Sequence, residues 1–76
     1  MGEHFMTEKL NFIQLLFNDL LRNTKIHIKN KEKAEKAGLY YGENLGNKNC
    51  GKTALKRKIT YLRQELLNLE RMLDDD

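Results

Sequence analysis

The chain has 76 residues, a formal net charge of +3 and one cysteine, Cys50. This length makes one domain, in the range where a lone core is marginal and a disulfide, a metal or a partner subunit is usually needed. One cysteine excludes an internal disulfide and is typical of a reducing cytoplasm, the expected location. His4, His27 and Cys50 are three scattered ligands where structural zinc needs four, so we expect no metal and no cofactor. The chain has no apolar run of 18 residues, which predicts that no segment spans a membrane.

The first predicted element is a helix over residues 7–37, with Thr7 as its N-cap and Gly38 as its stop. From Leu10 to Leu21, eight of twelve positions are apolar, and all but one of these fall on one half of the helix. A stripe this wide exceeds what one neighbouring helix covers, so it indicates burial between at least two. A break near residues 23–24, or a short strand over 24–28, is the alternative. The strand is disfavoured because no second strand can pair with it.

A glycine- and asparagine-rich loop is predicted over residues 38–51. It contains Tyr40 and Tyr41, which we interpret as a hydrophobic plug packed against the helices. The alternative for these two rings is stacking on nucleic-acid bases.

The last predicted element is a helix over residues 52–73 with a 3.5-residue apolar repeat, typical of a left-handed coiled-coil seam. Two helices joined by one loop predict an all-α helical hairpin with a coiled-coil-like C-terminal helix. Because both helices carry more apolar surface than a lone hairpin buries, we expect assembly into a helical bundle. The residues predicted to form the oligomer interface are Leu10, Ile13, Phe17, Leu20, Leu55, Ile59, Leu62, Leu66, Leu69 and Leu73.

Residues 46–53 match the pattern G-x-x-x-x-G-K-[ST] of phosphate-binding P-loops. In such loops the glycines let backbone N–H groups surround a phosphate at a helix N-terminus. A P-loop also requires a buried strand before it and a second strand bearing a magnesium-binding aspartate. The sequence offers neither, so we predict that the chain is not an ATPase and has no catalytic residues. A weaker anion site at this helix start stays open.

Charge is concentrated in the middle of the chain. Residues 24–58 include ten basic residues and three acidic ones. This pattern is typical either of a solvated lysine-rich surface or of a patch that binds a phosphate-rich partner. The residues predicted for phosphate binding are Lys48, Gly51, Lys52, Thr53, Lys56 and Arg57.

Two functional hypotheses follow from these patterns. The first is a non-enzymatic helical interaction protein that self-associates, with a dimer favoured, and binds a protein partner. The alternative is a non-enzymatic binder of nucleotide or nucleic-acid phosphates. We favour the first, since the apolar pattern requires a partner whereas the charge only permits one.

Overall fold

A computed structural model describes residues 3–38 and 50–75 of the chain. It contains two helices, α1 (Glu3–Lys36) and α2 (Lys52–Asp74), which pack against each other. Contacts run in opposite chain directions, because Lys9 meets Glu65 whereas Asp19 meets Lys58. The fold is therefore the predicted all-α helical hairpin, its two helices are antiparallel, and the described residues include no strand.

The first helix is longer than predicted at its start and has no break. It begins at Glu3, so Thr7 lies inside the helix and is not its N-cap. Residues 24–28 are helical, and the strand alternative is wrong. At the position where a break was considered, the Asn23 amide donates to the backbone O of Asp19 at 2.9 Å and to its Oδ1 at 3.0 Å. These bonds satisfy the side chain inside the helix, so no interruption is needed.

The end of α1 confirms the predicted glycine stop. The Ala37 N–H donates to Lys33 O at 3.1 Å, and the Gly38 N–H donates to Glu35 O at 3.0 Å. Gly38 has a φ of +72°, which places it in the left-handed region. Only glycine adopts that conformation at low energy, so the residue type explains where the helix ends.

The two helices are offset, and α1 extends past the start of α2. Cys50, just before α2, contacts Asn23 and His27 on α1. Residues 29–36 of α1 therefore have no part of α2 beside them, over an axial length of roughly 12 Å.

The hairpin buries little apolar surface. Among the described residues, the buried apolar side chains are Ala34, Cys50, Leu55 and Leu62. The radius of gyration is 16.4 Å, compared with about 11 Å for a compact domain of this length. The chain is thus a rod with dimensions of 54 × 15 × 15 Å.

Three predicted residues, Tyr40, Tyr41 and Lys48, lie outside the described residues. Within the described ranges, neither helix combines the length and apolar character needed to cross a membrane.

Candidate interaction surfaces

The contact between α1 and α2 uses only half of the predicted leucine seam. Leu55 and Leu62 are buried against α1, at 8% and 9% exposure. Lys58, between these two leucines, and Glu65, after Leu62, also turn toward α1, and both pair with α1 side chains. The hairpin interface thus alternates leucines with charged residues. Of the other members of the predicted seam, Leu69 is half-buried, whereas Ile59, Leu66 and Leu73 are 42–57% exposed.

Among the described residues, the ion pairs Lys9–Glu65 and Lys58–Asp19 cross the hairpin interface. Lys9 Nζ donates to Glu65 Oε2 at 2.6 Å, and Lys58 Nζ donates to Asp19 Oδ2 at 2.6 Å. The hydrogen bond from Lys58 is the main reason that the pKa of Asp19 lies below its ordinary value. Partial burial raises this pKa, and the charges of Lys58 and Arg22 lower it further. Each pair joins one turn of α1 to one turn of α2.

A hydrogen-bonded cluster attaches the start of α2 to the middle of α1. Cys50 is fully buried, and its Sγ donates to Asn23 Oδ1 at 3.2 Å. His27 Nδ1 lies 2.8 Å from the Cys50 carbonyl oxygen, so that nitrogen carries the proton and donates. Asn23 also bonds Asp19, and Asp19 bonds Lys58. The thiol therefore belongs to a continuous polar network that joins the start of α2 to the middle of α1.

One side of the hairpin forms an open groove. Phe12 and Tyr61 pack edge to face there, with ring centroids 6.2 Å apart. The groove has a volume of about 320 Å³. Its lining residues are Phe12, Leu16, Asp19, Arg57, Lys58 and Tyr61.

The opposite side of the hairpin carries a continuous row of exposed apolar side chains. Three of these side chains come two positions before a residue that lines the groove: Leu10 before Phe12, Phe17 before Asp19, and Ile59 before Tyr61. Two positions correspond to about 200° around a helix, so these side chains lie together on the side away from the groove. We call this side the apolar face; its exposed members, at 42–57% exposure, are Leu10, Phe17, Leu21, Ile59, Leu66 and Leu73.

The predicted interface residues are of three kinds in the structure: buried, half-buried and exposed. Leu55 and Leu62 are buried within one chain, and Ile13, Leu20 and Leu69 are half-buried at the edge of the hairpin contact. The remaining five (Leu10, Phe17, Ile59, Leu66 and Leu73) lie exposed on the apolar face. Leu21, a member of this face, was not among the predicted interface residues. Its place in the same apolar stripe of α1 was the signal that could have identified it.

The predicted phosphate-binding residues lie at the start of α2. Gly51 is the N-cap, with extended φ and ψ of −71° and 158° and no side-chain cap, and is itself buried. Lys52, Thr53, Lys56 and Arg57 follow on exposed positions of the first two turns. They do not converge, because Arg57 borders the groove whereas Lys52 lies beside the apolar face. Among the described residues, no three His, Cys, Asp or Glu side chains are placed to hold a metal.

Comparison with known proteins gives no relative: no protein-family model, curated protein or solved structure matches the chain.

Proposed function

We propose that this protein is a non-enzymatic helical interaction module that self-associates through the apolar face. The observation that carries the proposal is the distribution of its apolar side chains. Six large apolar residues on one face are 42–57% exposed, whereas few apolar residues are buried within the described part of the chain. A contiguous apolar surface of this kind marks an interaction site in a soluble protein.

The total surface supports the same proposal. The chain exposes 6267 Å², whereas a compact monomer of this mass exposes about 4,800 Å². The excess of roughly 1,400 Å² is larger than the area of about 800 Å² that each partner buries in a standard interface. A second hairpin laid on the apolar face would produce a four-helix bundle, the arrangement in which amphipathic hairpins bury a shared core.

The first test compares two neighbouring leucines of similar exposure. Leu66 lies on the apolar face and is 48% exposed, whereas Leu67 points away from α1 and is 43% exposed. Light-scattering mass on a sizing column should give a dimer for the wild-type chain and for Leu67→Glu. Leu66→Glu should be monomeric over the same concentrations, because a carboxylate cannot be buried there without a partner.

A second matched pair repeats the comparison on α1. Phe17 lies on the apolar face, whereas Leu15 lies on the other side of α1 and is 68% exposed. Phe17→Glu should abolish the dimer and Leu15→Glu should retain it. A wild-type monomer at all concentrations, or equal loss in Leu66→Glu and Leu67→Glu, would overturn the proposal.

The remaining surface supports the idea of a further partner. Two groups on the groove side, Phe12 and Tyr61, are 38% and 53% exposed and would stay uncovered when the apolar face is occupied. A helical protein segment is the kind of partner that an apolar groove between two helices accepts. Binding of such a segment should be weakened by Tyr61→Ala and unaffected by Leu67→Ala.

The second candidate function is binding to a phosphate-rich partner through the loop end. The described residues 20–38 and 50–57 include nine basic residues and two acidic ones. This charge density favours contact with nucleic-acid or nucleotide phosphates. Fluorescence anisotropy with labelled single-stranded DNA should show an affinity that falls steeply with salt and is reduced by Lys56→Glu. An affinity that is independent of salt would reject this candidate.

A further inference from the structure

The charges of the hairpin are divided between its two ends. In the loop-end half, residues 20–38 and 50–57 carry nine basic and two acidic side chains. In the other half, residues 3–19 and 58–75 carry seven acidic and four basic side chains. The hairpin therefore has a positive end and a negative end, and the apolar face runs along both halves.

This polarity distinguishes the two symmetric ways of laying one hairpin on another. If both loops lie at the same end, the two positive halves are adjacent, and so are the two negative halves. If the loops lie at opposite ends, each positive half covers a negative one. At partly exposed positions like charges repel and opposite charges attract, so the second arrangement is favoured electrostatically.

A specific pair of residues on α2 fits the opposite-end arrangement. Lys52 and Glu70 are both exposed, and within the described residues neither takes part in an ion pair. They are 18 residues apart, which is five helical turns, so they point in the same direction about 27 Å from each other. Both lie next to the Ile59, Leu66 and Leu73 side of α2, at the border of the apolar face.

We infer that the occupant of the apolar face is a second copy of this chain lying with its loop at the opposite end. Lys52 of each copy then pairs with Glu70 of the other. A two-fold axis that lies between the two copies, perpendicular to α2 and level with Tyr61 and Leu62, generates both pairs at once. The inference rests on the proposed self-association and adds its orientation and its charged contacts. The α1 segment 29–36 of each copy would then project at opposite ends of the dimer.

The test is a charge-reversal cycle on the dimer dissociation constant, measured by sedimentation at low salt. Lys52→Glu and Glu70→Lys should each raise the constant about fivefold, because each change makes two exposed pairs repulsive. The double variant should return to within about twofold of the wild type. Arg57→Glu, a similar charge change on the groove side of α2, is the control and should have less effect than either single reversal.

The outcomes separate the orientation from the association. In a same-end dimer, Lys52 and Glu70 lie at different ends, so the double variant would show no rescue. Lys52→Glu would then tighten the dimer by relieving repulsion. That result overturns the orientation and leaves the proposed function standing, whereas a wild-type monomer overturns both.

If the charge variants fold poorly, a distance measurement tests the orientation of the dimer instead. Asp74→Cys, made in a Cys50→Ser background with unchanged helix content, provides one spin-label site per chain near the end of α2. The two labels of a dimer should be about 40 Å apart in the opposite-end arrangement, since each lies 12–13 residues from the axis. A distance below about 20 Å would place both α2 ends together and overturn the inference.

Discussion

Lys58 donates from Nζ to Asp19 Oδ2 at 2.6 Å, across the interface between α2 and α1. The two side chains are 27% and 35% exposed, so the pair lies at the border of the contact. Together with the Lys9–Glu65 pair, it joins defined turns of α2 to defined turns of α1. A sliding of one helix by a single turn would separate both pairs, so we expect them to favour the observed register.

A double-mutant cycle on Lys58 and Asp19 should reveal a modest direct coupling. Lys58→Met and Asp19→Asn should each lower the free energy of unfolding, and the coupling between them should be about 0.5–1 kcal/mol, because the pair is partly exposed. Urea unfolding followed by circular dichroism measures all four chains. Lys56→Met, an exposed lysine without an ion pair among the described residues, is the matched control and should change stability little. A coupling of zero would mean that the contact between Lys58 and Asp19 contributes nothing to the free energy of unfolding.

Acid should destabilise the hairpin through Asp19. Since the pKa of Asp19 in the folded chain lies below its ordinary value of 3.8, the ionised carboxylate stabilises the fold above that value. This contribution is lost as the pH falls through the lower folded-state pKa. The free energy of unfolding of the wild type and of Asp19→Asn should therefore differ at pH 7 and converge toward pH 2. Glu35→Gln, which changes an exposed carboxyl on segment 29–36 of α1, is the control, and an Asp19 difference that persists unchanged at pH 2 would contradict the assignment.

Cys50 should be protected from thiol reagents and should contribute to stability through Asn23. Its side chain is 0% exposed, so a thiol reagent should react at the rate of local opening and not at the rate for a free thiol. Cys50→Ala leaves Asn23 Oδ1 without its donor and should lower stability by about 1–2 kcal/mol. Cys50→Ser keeps a donor and should lose less. Fast labelling of Cys50 in the native wild type would show that its thiol is accessible to solvent.

The fold was largely predictable from sequence, because the helical repeat and the glycine at position 38 act locally. Which residues of α2 pack against α1 was not predictable. The repeat in α2 can be continued from Leu55 either through Ile59 and Leu66 or through Lys58 and Glu65, and hydrophobicity alone selects the apolar set. In the structure Lys58 and Glu65 face α1, because Asp19 pairs with Lys58 and Lys9 pairs with Glu65. Those partners are 39 and 56 residues away in the chain, so no local pattern reveals them.

The attachment of α2 to α1 was missed for a related reason. A helix interruption near residues 23–24 was considered only as an alternative to a continuous helix, and no role for Asn23 was predicted. In the structure it is buried and accepts from the Cys50 thiol. A buried asparagine is satisfied only by partners that the fold brings to it. The exposed apolar face, in contrast, follows directly from the width of the stripe on α1, which already indicated more than one neighbouring helix.

Leu62 and Leu66 should separate the stability of the hairpin from that of its assembly. Leu62 is buried inside one chain, so Leu62→Ala should remove about 2–5 kcal/mol of folding free energy. Leu66 is half-exposed on the apolar face, so Leu66→Ala should mainly weaken association, by about 1 kcal/mol per copy. The urea midpoint of a self-associating protein rises with protein concentration. Raising the concentration should therefore restore the midpoint of Leu66→Ala readily and that of Leu62→Ala much less. If both variants respond alike, or if the wild-type midpoint is independent of concentration, the apolar face is not an interface between copies.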